Sequence, residues 1–220
     1  MVDLAMVKAH PFVNTAMDMG NEFIGNTGAI EHNRRHAEYV ARLAAQVIQD
    51  LGHSPREAEL AAIAGYLHDI GNMVNRYKHG MAGALMVMPI LLELGMDPAE
   101  VTTVMGAIGN HEEQSGGQAV NRISAAVILA DKTDVHHSRV RKRDVATFTT
   151  RDRVNWACYE SRLSVDKERG SINIELKIDT TICSVMEYFE IFLTKMLMCK
   201  RAAEFLGYRL ELHINEVSLL

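Results

Sequence analysis

The sequence predicts a mainly α-helical protein, a helical bundle followed by a small β-β-α-β unit. Apolar residues recur at helical spacing through most of the chain, whereas from about residue 154 they alternate with polar residues. Proline at helix starts and glycine at helix ends separate the helical segments. We therefore place a domain boundary near residue 150, with a helical domain over 1–150 and a small α+β unit over 151–220.

Capping residues delimit the predicted helices. Gly52 follows one apolar stripe, and Ser54 and Asp97 each stand directly before a proline, as expected of residues that begin a helix. The helices predicted from these signals are 40–51, 55–69, 79–94, 98–111 and one that begins near 123 and carries Asp131.

The C-terminal unit is predicted from its alternation. Two alternating segments flank the turn Asp166–Gly170 and indicate a β-hairpin, and 210–214 indicates a third strand. Between them, 182–206 is a long helix that is apolar on more than one stripe. This surplus favours docking onto the helical domain or a homodimer formed through the C-terminal unit.

The composition indicates a globular protein. The chain has 220 residues, of which 48% are hydrophobic and 23% charged, and its formal net charge is -5. This acidic balance makes no strong case for nucleic-acid binding, which needs clustered cations. The start of the sequence has no signal-peptide pattern, and no apolar run is long enough for a membrane span. We expect a cytoplasmic protein without a membrane partner.

Several polar residues fall on helix faces that otherwise carry core residues. They are His36, His68, Asp69, His111 and Asp131. A lone inward histidine is more often a hydrogen-bonded core residue than a ligand. A buried carboxylate, however, needs a cation or several donors, and a divalent ion would explain the whole set. Imidazoles and carboxylates without thiolates favour manganese, iron or zinc over a structural cysteine site.

The same residues stand in a known pattern. His36, the pair His68-Asp69 and Asp131 form an H…HD…D series, within segments that read LHDIG and LADK. The series resembles the HD superfamily of metal-dependent phosphohydrolases over about residues 30–135. His79 and His111 add two histidines that resemble its binuclear branches. The cyclic-dinucleotide branch typically has a histidine pair where this chain has His111 alone, and its Gly-Tyr-Pro segment is absent, so the substrate branch is unassigned.

The resemblance implies an HD-type helical bundle with a centre of two divalent ions. Iron or manganese is favoured, with zinc, nickel, cobalt and magnesium as alternatives. By this resemblance Asp69 bridges the ions, His36, His68 and Asp131 complete the shell of one, and His79 and His111 hold the other. The catalytic residues would be Asp69, Asp131 and Lys132.

Cationic side chains near this series are candidates for phosphate binding. Arg139 and Arg141 follow Asp131 in a basic run, and Arg35 and His32 lie close to His36. We expect these four to contact a small phosphorylated substrate, most readily a nucleotide. The competing interpretation of the run is a solvated basic face, since charge runs are usually exposed.

Three functions fit the pattern. The leading hypothesis is hydrolysis of a phosphoester or phosphoanhydride by metal-activated water. The second is oxygen-dependent oxidation at a di-iron site, which the same ligand types allow. The third is a non-catalytic, metal-dependent nucleotide sensor, which would keep the same residues for binding alone.

Overall fold

The computed structural model describes residues 1–219 and confirms a mainly α-helical fold with a C-terminal sheet. The α-helices are α1 (Leu4–Ala9), α2 (Pro11–Gly25), α3 (Arg34–Asp50), α4 (Pro55–Leu67), α5 (His79–Glu93), α6 (Pro98–Gly109), α7 (Arg122–Thr133), α8 (Thr150–Ala157) and α9 (Val185–Phe205). The strands are β1 (Cys158–Asp166), β2 (Ser171–Ile178), β3 (Arg209–Ile214) and β4 (Val217–Ser218). No helix in the described range combines the length and the apolarity that a membrane span requires.

The centre of the bundle is formed by α3, α4 and α7. Beyond their first turns α4 and α7 are almost wholly buried, which explains the continuous apolar segments in their sequences. Gly65 lets α3 and α4 approach closely, because a Cβ at this position would stand 3.0 Å from backbone atoms of Ala41. The predicted cap of α4 is confirmed, with Ser54 and Glu57 forming a reciprocal capping box.

The sheet has the strand order β1-β2-β3-β4. The hairpin β1–β2 is antiparallel, β2 and β3 run parallel, and β4 pairs antiparallel with β3. The predicted β-β-α-β order is confirmed, and β4 extends it. Helix α8 was not predicted from the sequence, and it occupies positions where strand alternation was expected to begin. The sequence feature that indicates this helix is the capping box formed by Thr149 and Asp152.

The helices and the sheet share one hydrophobic core. Helix α9 packs against α7, and buried residues of both belong to the same apolar cluster. Polar contacts also join the parts: Tyr39 donates from its hydroxyl to the Ser161 carbonyl oxygen at 3.3 Å, and the Ser161 hydroxyl donates to the carbonyl oxygen of Thr133. Part of the additional apolar surface of α9 therefore packs on the helical bundle. The division at residue 150 stays a prediction.

Candidate metal centre

Two helix ends bring His36, His68 and Asp69 together. Asn33 caps α3 by accepting from the backbone N–H of His36, so His36 lies in the first turn. Helix α4 ends at Leu67, and Asp69 has left the helical conformation, with φ -94° and ψ 2°. This departure at the helix end lets two neighbouring side chains face one point.

A second pair of helix ends supplies His79 and His111. His79 is the first residue of α5, and it follows Lys78, which adopts a left-handed conformation with φ 61°. His111 lies just beyond the end of α6. Gly80 lets the start of α5 lie close to the end of α6, because a Cβ at this position would lie 2.9 Å from the Ile108 carbonyl oxygen and 3.2 Å from His111 Nδ1.

One half of the site contains His36, His68 and Asp131. The Nε2 atoms of His36 and His68 are 3.2 Å apart. Asp69 Oδ2 lies 3.2 Å from His68 Nε2 and 3.5 Å from His36 Nε2. Asp131 Oδ1 lies 3.4 Å and 3.7 Å from the Nε2 atoms of His36 and His68, respectively. Four potential ligand atoms thus converge on one small volume. We call this the His36 half.

The other half contains His79 and His111, and we call it the His79 half. Their Nε2 atoms are 3.0 Å apart. The second oxygen of the shared carboxylate faces them: Asp69 Oδ1 is 3.1 Å from His79 Nε2 and 3.9 Å from His111 Nε2. Asn72 Nδ2 donates to the same oxygen at 2.8 Å and fixes the carboxylate. Asp69 therefore presents one oxygen to each half.

The outer nitrogens of the four imidazoles are all engaged. The Nδ1 atoms contact Asp134 Oδ2 (2.7 Å from His36) and the carbonyl oxygens of Gly65 (2.7 Å from His68), Arg76 (2.9 Å from His79) and Ile108 (2.7 Å from His111). A carbonyl or carboxylate oxygen accepts hydrogen bonds, so each Nδ1 carries the proton. With a metal bound, each ring would be neutral and would turn the lone pair of Nε2 inward, as a metal ligand does.

This donor set fits divalent ions. Paired Nε2 lone pairs at 3.2 and 3.0 Å repel each other unless a proton or a metal ion lies between them. Two ligands at about 2.1 Å from one ion, near a right angle to each other, stand about 3 Å apart. Asp69 Oδ2 is buried and accepts no hydrogen bond from residues 1–219. A buried carboxylate oxygen needs a partner, and a metal ion would supply one.

The buried carboxyls of the site are ionised. Burial would raise the pKa of Asp69, but the surrounding histidines, His68 foremost, hold this pKa well below its usual range. For Asp131, burial is outweighed by Lys132, and the pKa again lies well below its usual range. Burial, aided by His79 and His68, lowers the pKa of His111 to about 3, so this ring stays neutral. Ionised carboxylates and a neutral His111 are states that metal ligands need. Burial lowers the pKa of His36, His68 and His79, but neighbouring carboxylates outweigh it and raise their pKa values, so these rings must lose a proton when a metal binds.

Asp134 supports the His36 half from behind. Its carboxylate is buried, and His36 Nδ1 donates to it at 2.7 Å. Arg35 Nη2 donates to both carboxylate oxygens, at 3.0 and 2.7 Å, and the Arg139 guanidinium donates to the backbone oxygen of Asp134 at 2.9 Å. A carboxylate behind a histidine fixes the ring and raises its basicity as a ligand.

Lys132 is held by two carboxylates at the cavity wall. Its ammonium lies 2.6 Å from Asp131 Oδ2 and 2.9 Å from Glu113 Oε2. Burial disfavours the charged lysine, but Asp131 and Glu113 reverse this and raise its pKa. Lys132 thereby fixes the outer oxygen of Asp131 and leaves Oδ1 for the centre.

The structure brings only some of the predicted phosphate-binding residues to the site. His32 and Arg139 line the cavity above the centre, although the Arg139 guanidinium also donates to the Glu31 and Asp134 carbonyl oxygens. Arg35 is outside the lining and lies behind Asp134.

Arg141 is also outside the cavity lining. Its guanidinium donates to the carbonyl oxygens of Ala29 and Asn21, at 2.8 and 2.7 Å, and pairs with Glu31 at 3.3 Å. These bonds tie the basic segment to α2 and to the loop before α3. Arg35 and Arg141 thus lie outside this cavity, and a contact of either residue with substrate stays a prediction.

Several residues that line the same cavity were not predicted from the sequence. They are Arg76, Glu112, Glu113, Arg151, Phe192 and Lys195. Glu112 and Glu113 directly follow His111, so adjacency was an available signal. Arg151 and Lys195 come from α8 and α9, in the segment predicted as a separate unit, and only the fold brings them here.

Comparison with known proteins agrees with this geometry. Residues 33–139 match the family model of the HD domain, and the span includes His36, His68, Asp69 and Asp131. This part of the chain therefore belongs to the HD superfamily, a family of metal-dependent phosphohydrolase type. An uncharacterized protein of Methanocaldococcus jannaschii is 27% identical over 151 residues, covering 59% of this chain and 58% of that protein. The chain thus matches little more than half of that relative's length.

Proposed function

We propose that the protein is a phosphohydrolase with a binuclear metal centre that cleaves a phosphoester or phosphoanhydride of a nucleotide or similar small metabolite. The observation that carries this proposal is the position of Asp69, whose two oxygens face two separate histidine pairs. Asp69 is therefore the proposed bridging ligand. His36, His68 and Asp131 would complete one ion's protein ligands, and His79 and His111 those of the other.

Metal ions in such a centre would lower the pKa of water and offset charge on the phosphoryl oxygens. Hydrolysis forms a bond from a water oxygen to phosphorus and breaks the bond to the leaving oxygen, which receives a proton. The residues of this chain position the ligands: Asp134 orients His36, and Lys132 fixes Asp131. His32 lines the cavity, and its Nδ1 is bound to the Ile30 carbonyl oxygen at 2.7 Å. This leaves His32 Nε2 as a candidate contact to substrate.

Iron or manganese is the favoured metal in this proposal, because imidazole and carboxylate ligands occur together without thiolates. The test is metal analysis of protein purified without chelators, followed by a phosphatase screen over nucleotides and dinucleotides. We expect about two ions per chain and metal-dependent release of phosphate or a nucleotide. Metal-loaded protein that hydrolyses none of these compounds would contradict the proposal.

We also propose that the chain forms a homodimer through α9. Met186, Leu193 and Leu197 are 69%, 50% and 46% exposed on this helix, more apolar surface than a helix facing solvent needs. Light scattering after size exclusion should show a dimer, and Leu193→Lys combined with Leu197→Lys should shift it to a monomer. A wild-type monomer would contradict this proposal without affecting the metal centre.

A further inference from the structure

The cavity above the metal centre contains cations from several elements. Its lining includes Arg76, Lys132, Arg139, Arg151 and Lys195, together with the carboxylates Asp69, Glu112, Glu113, Asp131 and Asp134. Equal numbers of the two signs would leave the wall neutral without metal. Two divalent ions would make it strongly positive, so an anion is the complementary ligand.

The carboxylates of the lining are already engaged. Asp69 and Asp131 face the imidazoles, and Glu112 lies 3.4 Å from His79 Nδ1. Glu113 pairs with Lys132 at 2.9 Å, and Asp134 pairs with His36 at 2.7 Å. The pair with Glu113 fixes Lys132 in the wall, and Arg139 is fixed there because it donates to the Glu31 and Asp134 carbonyl oxygens. Arg76 donates to Asn72 Oδ1 at 3.1 Å.

Two cations contributed by α8 and α9 lack such partners. Within residues 1–219, no carboxylate lies within 4.0 Å of the Arg151 guanidinium or the Lys195 ammonium, and neither group makes a side-chain hydrogen bond. Both side chains are half-buried at the cavity. The Lys195 ammonium lies 4.7 Å from the centre of the Phe192 ring, which limits its position. Burial lowers the pKa of Lys195 to about 8 and also lowers that of Arg151, as expected of cations without close counterions.

We propose that Arg151 and Lys195 bind an anionic group of the substrate beyond the phosphate held at the metal centre, so that the substrate carries adjacent phosphates. The assignment rests on the proposed function, which places the reacting phosphate at the histidines. Arg151 can offer a planar fork of donors to a second phosphate, and Lys195 a point charge. The C-terminal unit would thus select phosphoanhydrides over simple monoesters.

The test compares two non-hydrolysable probes on the metal-loaded full chain by titration calorimetry. Methylenediphosphonate represents adjacent phosphates, and methylphosphonate represents one. Arg151→Gln and Lys195→Met keep the side-chain stems and should each weaken methylenediphosphonate binding about 10- to 100-fold, the usual loss for a charge-assisted hydrogen bond. Methylphosphonate binding and metal content should not change.

Each variant has a control on its own helix. Arg153→Gln removes a surface pair with Glu187 at 2.8 Å, and Lys200→Met changes an exposed lysine; neither residue lines the cavity, and both variants should bind as wild type. Arg151→Lys should retain part of the diphosphonate affinity, and it tests the assignment if Arg151→Gln does not fold.

The possible results distinguish the assignment of Arg151 and Lys195 from the proposed function on which it rests. Unchanged methylenediphosphonate binding in both variants, or an equal loss for both probes, would overturn the assignment of Arg151 and Lys195. A wild-type protein that binds methylphosphonate as tightly as methylenediphosphonate would overturn it too. A wild-type protein that binds neither metal nor methylphosphonate would instead overturn the proposed function itself.

Discussion

The two halves of the candidate metal centre use the same kinds of side chain but are supported differently. In the His36 half, two imidazoles meet two carboxylates, and the charged Asp134 stands behind one ring. In the His79 half, two imidazoles meet one oxygen of the shared carboxylate, backbone carbonyl oxygens accept from both rings, and the Glu112 carboxylate stands farther back, 3.4 Å from His79 Nδ1. A second carboxylate among the ligands, and a carboxylate hydrogen-bonded directly to a histidine at 2.7 Å rather than lying 3.4 Å away, increase metal affinity. We therefore expect the His36 half to bind its ion more tightly.

Asp69→Ala should have the largest effect, because it removes a ligand from both halves at once. We expect loss of both ions and a fall in hydrolysis to background, measured by metal analysis and the phosphatase assay. Circular dichroism should show that the helical fold is retained. A folded Asp69→Ala protein with a full metal complement would show that the two halves are independent sites.

His79→Ala and His111→Ala should separate the halves. Each should retain about one ion per chain, with hydrolysis reduced by orders of magnitude because clamping by two metals is lost. His68→Ala is the matched change in the His36 half and should cost more metal. Equal ion counts in the three variants would contradict the difference in affinity.

Asp134→Asn should have an intermediate effect. It removes the charge behind His36 while keeping the shape of the side chain, and loss of such a partner typically weakens metal binding about 10- to 100-fold. Metal titration should show this loss in the His36 half alone. The change also weakens the contacts of Arg35, so Arg35→Gln serves as the control for that part of the effect.

Arg141→Lys should have the smallest effect on catalysis, since Arg141 does not line the cavity. Its bonds to Ala29 and Asn21 tie the basic segment to α2, so the expected change is a modest loss of stability on the order of 1 kcal/mol. Steady-state kinetics should give unchanged KM and kcat. A raised KM with unchanged stability would instead show that Arg141 contacts the substrate.

The sequence predicted the features that depend on a single helix. The caps at Ser54 and Asp97, and the polar residues on the buried faces of α3 and α7, were readable because period and capping are local. The convergence of the metal-site residues was also predictable, since inward-facing polar groups in one bundle share a core. Their pairing into two halves around Asp69 was expected only from the family resemblance, because the helical period does not specify the geometry of the helix ends.

The positions of the cationic residues could not be predicted from neighbouring residues in the sequence. Arg139 and Arg141 stood out as a basic run, yet their guanidinium groups bond to backbone carbonyl oxygens of distant segments. Arg151 and Lys195 form no recognisable pattern, because each is one of several charges on its helix and lies far in sequence from the metal-site residues. They reach the cavity only through the packing of α8 and α9 against the bundle, which depends on long-range contacts.

Electron paramagnetic resonance of the manganese-loaded protein tests the central claim most directly. A carboxylate bridge should couple the two ions magnetically, so we predict the spectrum of a coupled pair at two manganese ions per chain. Asp69→Ala should abolish this spectrum. Two uncoupled manganese signals in the fully loaded wild-type protein would contradict a centre bridged by Asp69.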